Sequence, residues 1–340
     1  MIVTYIRSSS YGNYNFCQMQ YFMTYVLGYR SESGKKAQQG TACHKVMECL
    51  AACKKELQDN PDSKTLSITD DALGQLEFTP RKLGTKKFVA QLMKDSYEHY
   101  TSQDSHKYYP ADFRFCEKQV ETALTFNEGQ FDPRNRNIVD TEPTFDIEIE
   151  EDWAKFDYEM PDGQKITGNL AIKGTIDLVT EVDDGIIEVV DWKTGRRLDW
   201  ATGEEKTYEK LCSDPQLLLY NYAISKLFPD YEQSIMTIFF IRDGGPFSMC
   251  FDKKDQEKFL EMLKLRFQQI SRNQEPKPMS YSRNHWKCNK LCHFYKNNWE
   301  GTDQNMCIYI EEHLKKHGMN ETVKRCTAEG FSVGHYEAPG

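Results

Sequence analysis

Two carboxylates and a lysine lie close together in the middle of the chain. Asp177 ends a Gly-x-x-Asp segment that begins at Gly174, and Asp191 and Lys193 stand two positions apart in the run Ile186 to Gly195. Successive side chains of a β-strand alternate between faces, so Asp191 and Lys193 project from the same face, about 6.6 Å apart. A metal-binding carboxylate and an amine that can handle a proton therefore share one side of the predicted strand.

The residues between these carboxylates predict a β-hairpin. The run Ile172 to Val179 is typical of a strand, and Asp-Asp-Gly at 183–185 is typical of a three-residue turn. Such a turn places Asp177 opposite Asp191. Two carboxylates this close repel unless a cation lies between them, and hard oxygen ligands suit Mg²⁺ or Mn²⁺. An exposed hairpin with a surface Asp–Lys ion pair is the alternative.

Composition sets the class of protein. The chain has 340 residues, of which 39% are hydrophobic and 13% aromatic, which predicts a globular protein with ample core. No apolar run approaches the ~18 residues that span a membrane. The N-terminus lacks a basic segment followed by an apolar one, so we expect no signal peptide and a cytoplasmic location without membrane contact.

The net charge of −9 does not exclude a nucleic-acid ligand. A binding footprint is local, and metal ions at an acidic site offset part of the negative charge. Arg196 and Arg197 follow the Lys-Thr-Gly segment directly, where they are well placed for phosphates.

Hydrophobic spacing predicts helices on either side of a strand-rich centre. We expect one helix over Asn13 to Tyr29 and a second that starts at Gly40, with His44 and Glu48 on one face. Residues 54–112 are predicted to form a helical insertion. Strand patterns return from about Phe113.

The second half of the chain predicts a helix, a strand and a further helix. Asp214 and Pro215 are typical of the cap and first position of a helix, on which Gln216 and Tyr220 share a face. Residues 234–241 predict a strand, and residues 252–272 predict a long amphipathic helix. The expected fold class is α/β, with a mixed central sheet flanked by helices and with helical N- and C-terminal parts.

Eleven cysteines, an odd number, do not indicate a disulfide framework. Cys288 and Cys292 are close in sequence, Cys307 follows, and Cys17 lies on the first amphipathic segment. Four thiolates hold either zinc or an iron–sulfur cluster.

These motifs, in this order, resemble the RecB-like branch of the PD-(D/E)XK nucleases, particularly its iron–sulfur members such as AddB-type and CRISPR-adaptation nucleases. The resemblance covers five sequence elements, which occur in the same order as in the family. They are Gly40 to His44 to Glu48, Gly174-x-x-Asp177, Asp191-Trp192-Lys193-Thr194-Gly195, Gln216-x-x-x-Tyr220, and cysteines outside this core at both ends.

The resemblance implies a restriction-endonuclease-like PD-(D/E)XK core and a role for each motif. His44, Asp177 and Asp191 would bind the metal together with the Trp192 carbonyl, and Lys193 would orient or help to deprotonate the attacking water. Gln216 and Tyr220 would line the site near the nucleic-acid backbone. General chemistry agrees, because a divalent cation acidifies water and a nearby lysine stabilises negative charge.

By the same resemblance Cys17, Cys288, Cys292 and Cys307 would hold a [4Fe-4S] cluster, with residues 280–310 packed against the N-terminal helix near Cys17. The spacing departs from the family, which has C-x-x-C followed shortly by a third cysteine. This chain has three residues between Cys288 and Cys292 and fourteen before Cys307. Zn²⁺ therefore stays an alternative. Cys307 is the cysteine whose position departs most from the family's spacing.

The resemblance implies a single RecB-like nuclease domain over residues 1–340 that hydrolyses DNA in a metal-dependent reaction. We expect an exonuclease that acts on duplex ends or single strands in recombination or repair, with a helicase or recombination protein as a partner. The alternative is a noncatalytic nucleic-acid-binding or scaffold subunit with a nuclease fold, in a helicase–nuclease or CRISPR-adaptation assembly.

Overall fold

The computed structural model describes residues 1–102, 104–199 and 202–331. Its β-strands, in chain order, are β1 (Tyr5–Ile6), β2 (Leu66–Asp70), β3 (Gly74–Phe78), β4 (Asn137–Thr141), β5 (Thr144–Glu148), β6 (Lys155–Glu159), β7 (Lys165–Asn169), β8 (Ala171–Thr175), β9 (Leu178–Asp183), β10 (Ile186–Lys193), β11 (Gln233–Phe240) and β12 (Gly245–Cys250).

Helices precede, interrupt and follow these strands. They are α1 (Ser8–Phe16), α2 (Gln18–Tyr21), α3 (Lys35–Asp59), α4 (Pro80–Leu83), α5 (Lys86–Ser102), α6 (Pro110–Thr125), α7 (Tyr208–Leu211), α8 (Pro215–Leu227), α9 (Lys253–Ser271), α10 (Tyr281–Leu291), α11 (His293–Lys296) and α12 (Met306–Cys326). A π-helical turn at Phe22–Val26 extends α2. Within the described residues, none of the helices is both long and apolar enough to cross a membrane.

The largest sheet has five strands in the order β12-β11-β10-β9-β4. Its central pair, β10 and β11, runs parallel, and the other neighbours are antiparallel. A second sheet has the order β1-β8-β5. Because β8 and β9 belong to different sheets, the chain passes from one sheet to the other at residues 176–177. This crossing leaves Asp177 at the junction of the two sheets.

Both faces of β10 are buried, because helices pack on either side of the sheet. Ile187 and Val189 pack into one core with α8 and α9, whereas Val190 and Trp192 pack into a second core with α3, α5 and α6. The period of two along the strand separates these sets. The α/β class with helices on both sides of a mixed sheet is confirmed.

The predicted register of the central hairpin is confirmed away from its turn, whereas the predicted three-residue turn is wrong: Asp183 still pairs with Ile186, only residues 184–185 form the turn, and a register shift compensates for the difference. Val189 pairs with Val179 and Val190 with Leu178, with an irregularity next to Ile186 at the turn. The prediction of one continuous strand over residues 172–179 is wrong, because that run is divided between β8 and β9. An apolar run shows that a segment is buried, but it does not show where the chain changes sheets.

Two helix boundaries differ from prediction. The helix expected to start at Gly40 begins at Lys35, capped by Gly34, whose carbonyl accepts from the Ala37 amide at 2.8 Å. The single helix expected over residues 13–29 is broken at Cys17, which has extended backbone (φ −162°, ψ 115°). A cap made by backbone alone leaves little trace in side-chain chemistry.

The region before the central sheet also differs. Strand patterns expected from Phe113 are in fact helix α6, which has Pro110 at its first position and whose Asp112 carboxylate accepts from the Tyr109 amide at 2.9 Å. The predicted helical insertion at 54–112 contains α4 and α5 but also the β2–β3 hairpin. Its status as a separate unit stays a prediction, as does the single domain over residues 1–340, whose last nine residues lie outside the described part.

The start of α8 follows its predicted cap. The Asp214 carboxylate accepts from the Gln216 amide at 2.9 Å, Pro215 fills the first position, and Lys206 pairs with the same carboxylate at 2.5 Å. This cap fixes the helix that carries Gln216 and Tyr220.

We predict that Asp214→Ala lowers the free energy of unfolding by about 1–2 kcal/mol, because the helix loses its N-cap acceptor. Asp214→Asn keeps an acceptor oxygen and should lose less than half as much. Urea unfolding would measure both, with exposed Asp152→Ala as an unchanged control. Equal losses for the alanine and asparagine variants would show that the Lys206 ion pair, and not the cap, stabilises this helix start.

Candidate active site

The junction of the two sheets brings Asp177 to helix α3 and to strand β10. Its Oδ2 lies 3.3 Å from Nδ1 of His44. The same oxygen accepts a hydrogen bond of 2.9 Å from the backbone amide of Trp192. Asp177 therefore holds the end of β10 and the histidine of α3 at one point.

Asp191 is the most deeply buried acid of the site, with 1% of its surface exposed. Its Oδ1 accepts from Nζ of Lys193 and from Nε2 of Gln216, each at 3.0 Å. Gln216 Nε2 also donates to the Tyr220 hydroxyl at 3.1 Å. The structure thus brings together the strand pair and the Gln-x-x-x-Tyr helix face expected from sequence.

Two glycines of the sequence motifs allow close approaches at this site. A Cβ at Gly40 would lie 2.9 Å from Oγ1 of Thr194, so glycine lets α3 lie against the residues that follow β10. A Cβ at Gly174 would lie 2.5 Å from Cζ of Phe145. The Phe145 ring occupies that space and packs edge-on against Tyr220, with centroids 6.3 Å apart. Both glycines therefore act through the space they leave open.

The charges of the site shift one another's pKa values. Burial raises the pKa of Asp191 to about 6, although Lys193 opposes that shift. For Asp177, the charges of His44 and Lys193 outweigh burial and hold the carboxyl pKa below its usual value. The pKa of His44 rises, because the attraction of Asp177 exceeds the effect of burial. The pKa of Lys193 rises as well, since the attraction of Asp191 and Asp177 exceeds the opposing effect of burial.

The donor set fits a divalent cation. The buried Oδ2 of Asp191 forms an ion pair with Lys193 at 2.7 Å but accepts no hydrogen bond from any described residue. A carboxylate oxygen offers two lone pairs, so a single ammonium partner leaves this oxygen able to bind a metal. Two carboxylates, an imidazole and a backbone carbonyl suit Mg²⁺ or Mn²⁺, the imidazole favouring the latter.

Four acidic residues beside this site were not among the predicted ligands. Glu48, Asp70 and Asp71 bring one oxygen each to within 4.8 Å of one another. The ammonium of Lys45 contacts all three, at 2.7, 3.1 and 2.9 Å, and so already neutralises much of their charge. Only Glu48 gave a signal in the sequence, by sharing a helix face with His44.

The fourth acid, Glu142, donates its backbone amide to the Asp177 carbonyl at 3.4 Å and has a left-handed φ of 50°. Burial raises the pKa of Glu142, and the charge of Asp177 raises it further. Burial likewise raises the pKa of Glu48, to about 7. Glu142 follows β4 in a tight connection to β5, and no motif in the sequence distinguishes it.

The two arginines after β10 have different surroundings. The Arg196 side chain is exposed. Arg197 pairs with Glu205, donates to the Lys206 carbonyl at 3.0 Å, and lies over the Phe247 ring. A phosphate would reach Arg196 freely, but at Arg197 it would compete with Glu205.

The four predicted cluster cysteines come from the N-terminal helices and from the C-terminal helical region. Cys17 lies at the break between α1 and α2, Cys288 is in α10, Cys292 precedes α11, and Cys307 is in the first turn of α12. All four are free thiols, and the last three are buried. Burial raises the pKa of Cys292 to about 11, and the proximity of Cys17 contributes to the raised pKa values of Cys288, Cys292 and Cys307.

This donor set fits a soft metal centre. Cys288, Cys292 and Cys307, whose thiol pKa values are raised, stay protonated on their own, and a bound metal would supply the positive charge that stabilises their thiolates. Cysteine thiolates suit both zinc and iron–sulfur clusters.

The sequence matches the model of the PD-(D/E)XK nuclease superfamily over residues 8–296. The match covers most of the chain, which therefore belongs to this superfamily, and its mixed sheet flanked by helices is that of a PD-(D/E)XK nuclease. The resemblance is thereby confirmed at the level of the superfamily, whereas the RecB-like, iron–sulfur branch stays a prediction.

Two solved structures are similar to this chain. One is a protein of Eubacterium rectale described as a "putative exonuclease", with 13% identity, a TM-score of 0.39, and coverage of 83% of this chain and 88% of that one. The other is SSO0001, with 14% identity, a TM-score of 0.26, and coverage of 73% and 94%. The comparison with curated proteins gives no match.

We predict that Gly40→Ala reduces nuclease activity about 10- to 100-fold. The new Cβ meets Thr194 and displaces His44 relative to Asp177, and misplacement of this size has such costs. Initial rates of DNA cleavage would measure the effect.

Gly12→Ala is the matched control, since nothing lies within 4 Å of the Cβ it would add to helix α1. The prediction is wrong if Gly40→Ala cleaves at the rate of the Gly12→Ala protein.

Proposed function

We propose that this nuclease hydrolyses DNA phosphodiester bonds with a divalent metal held by His44, Asp177, Asp191 and the Trp192 carbonyl. The observation that carries the proposal is the position of Asp177. It contacts His44 of α3 and the Trp192 amide of β10, which joins three separate sequence motifs at one place. A surface Asp–Lys pair on an exposed hairpin does not explain this convergence, because Asp191 is buried.

Each remaining motif residue has a role that its contacts support. A bound divalent metal would acidify water and polarise the scissile phosphate. Lys193 would orient the attacking water and stabilise negative charge, since its ammonium lies beside Asp191. Gln216 holds the Asp191 carboxylate and the Tyr220 hydroxyl in fixed positions, and this pair would face the nucleic-acid backbone. Exposed Arg196 would contact a phosphate.

Within this function we propose an exonuclease that acts on duplex ends or single strands in recombination or repair. The support is the Gln-x-x-x-Tyr pair at Asp191, the motif that relates the chain to RecB-like nucleases. End-labelled linear DNA and circular DNA of the same sequence, incubated with Mg²⁺ or Mn²⁺, would test it. Loss of the linear form alone supports an exonuclease and shows its polarity, and cleavage of the circle contradicts it.

We predict that Asp191→Ala and Lys193→Ala each abolish cleavage while the fold is retained. The first removes a metal ligand and the second removes the charge beside it. Cleavage of labelled DNA and circular dichroism would be measured together.

Asp152→Ala is a matched control, because Asp152 forms an exposed ion pair with Lys155 at 2.7 Å. Undiminished cleavage by either active-site variant refutes the assignment. Metal-independent DNA binding by the wild-type protein without any cleavage favours the noncatalytic subunit, in which a helicase or recombination partner would supply the activity.

We further propose a [4Fe-4S] cluster on Cys17, Cys288, Cys292 and Cys307, with Zn²⁺ as the alternative. The support is that Cys17, from the N-terminal helices, lies near three unbridged thiols of the C-terminal region, Cys288, Cys292 and Cys307. Such a centre would link the first helices to the last and close a loop of about 290 residues, so its role would be structural.

We predict that Cys17→Ala lowers the free energy of unfolding by about 3–5 kcal/mol, since a link that closes a long loop is lost. Anaerobic purification followed by thermal unfolding, with assays for iron, acid-labile sulfide and zinc, would measure stability and metal content together.

Cys212 is partly exposed and is not one of the four cysteines, so Cys212→Ala is the control. This variant should keep the stability and the metal content of the wild type. A Cys17→Ala protein with wild-type stability and no change in bound metal contradicts the proposal, and zinc without sulfide in the wild type selects the alternative.

A further inference from the structure

The segment 277–296 differs in charge from the rest of the chain. It has five Lys or Arg residues and no Asp or Glu, although the chain average of 52 acidic residues in 340 predicts about three acids in a segment this long. It comprises helices α10 and α11 and the residues that lead into them. A protein of net charge −9 thus presents one locally basic element.

This element also exposes large apolar side chains. Tyr281 is 49% exposed, Trp286 44% and Leu291 43%, and all three lie in α10. They are three of the seven large hydrophobic side chains that are exposed among the described residues. Exposed apolar groups concentrated in one short helix indicate a contact surface more strongly than scattered ones do.

Three rings of α10 and α11 lie side by side, and a fourth, Trp286, is exposed further along α10. Tyr281 stacks on Tyr295 of α11, with centroids 5.4 Å apart and planes 20° apart, and it lies 6.4 Å from the His285 ring. Trp286 and Lys290 are four residues apart, so they project from the same side of α10. Lys290 is exposed there. A flat ring and a cation are therefore offered together to solvent.

The other side of α10 is fixed to the protein. Cys288 is buried, Lys287 is buried with its ammonium 5.8 Å from the Phe16 ring centroid of α1, and Cys292 ends the helix. The exposed rings are thus held on a helix whose inner face is packed. A preorganised surface loses little entropy when it binds a ligand.

We propose that the outer face of α10, with Trp286 and Lys290 at its centre, binds single-stranded DNA by stacking bases on the rings and pairing phosphates with the cations. The basic charge selects a polyanion, and the exposed rings select one whose bases are unpaired and available for stacking. In duplex DNA the base faces are stacked inside the double helix, so a duplex would contact only the charged side chains of this surface. The inference rests on the proposed nuclease function and adds a substrate form to it.

Fluorescence anisotropy of a labelled 20-nucleotide oligo(dT) in EDTA tests this surface in the absence of cleavage. Trp286→Ala of the full, anaerobically purified chain should weaken binding about 5-fold or more, the usual cost of losing one stacking ring. Trp286→Phe keeps a ring and should stay within about 2-fold of wild type. Lys290→Glu should weaken binding and reduce its salt dependence.

Leu265→Ala on α9 and Lys94→Glu on α5 are matched controls, because each changes an exposed side chain of similar type on another helix. Variants are compared only if melting temperature and metal content match the wild type. Should Trp286→Ala fail that test, Lys290→Glu and Trp286→Phe still decide the result.

Three results would overturn the proposal. They are wild-type affinity of Trp286→Ala for oligo(dT), an equal loss of affinity for a 20-base-pair blunt duplex, and a preference for anionic lipid vesicles over DNA. Cleavage by the wild type and by Asp191→Ala is assayed separately. Binding that depends on Trp286 without cleavage would leave this inference standing and remove the proposed activity, whereas cleavage with unaltered Trp286→Ala binding would do the reverse.

Discussion

The cost of burying the Asp191 carboxylate determines the arrangement around it. A buried charge is tolerated only when it is paired and hydrogen-bonded, and here Lys193 and Gln216 supply those partners. Lys193 is available because strand alternation places it on the same face. Gln216 is available because the Asp214 cap and Pro215 start α8 at the right residue. The other oxygen, Oδ2, accepts no hydrogen bond and is balanced by the Lys193 ammonium at 2.7 Å.

A second constraint is the distance between helix α3 and the end of β10. His44 reaches Asp177 only if the helix lies close to Thr194, and Gly40 is the residue at that contact. The glycine lies inside a helix, where it costs about 1 kcal/mol relative to alanine. The close packing of α3 against Thr194 offsets that cost. The Gly-x-x-x-His spacing is therefore explained by a packing requirement. The same reasoning explains Gly174, whose missing side chain is replaced by the Phe145 ring.

Local chemistry in the sequence predicted those parts of the site that depend on short-range geometry. The Asp-Asp-Gly sequence at 183–185 predicted a hairpin whose pairing at Val189 is correct, although its turn has two residues and a register shift, and the four-residue spacing of Gln216 and Tyr220 predicted their shared face. Features that depend on long-range topology were not predictable. The change of sheet at residues 176–177 and the position of Glu142 beside Asp177 both result from how β4, β5, β8 and β9 pair, which no local pattern encodes.

The split between local and long-range information also applies to charge. The net charge of −9 describes the whole chain, yet a ligand at α10 experiences mainly charges within a Debye length, about 10 Å in 0.1 M salt. Acidic residues gather instead around Lys45 and the two-sheet junction, where a cation balances them. Because the two signs are separated, one acidic protein has both a buried acidic site and an exposed basic helix. Added salt should therefore weaken the binding of a polyanion to α10 more than the binding of a cation to the buried Asp191. Buried charges are screened less than exposed ones.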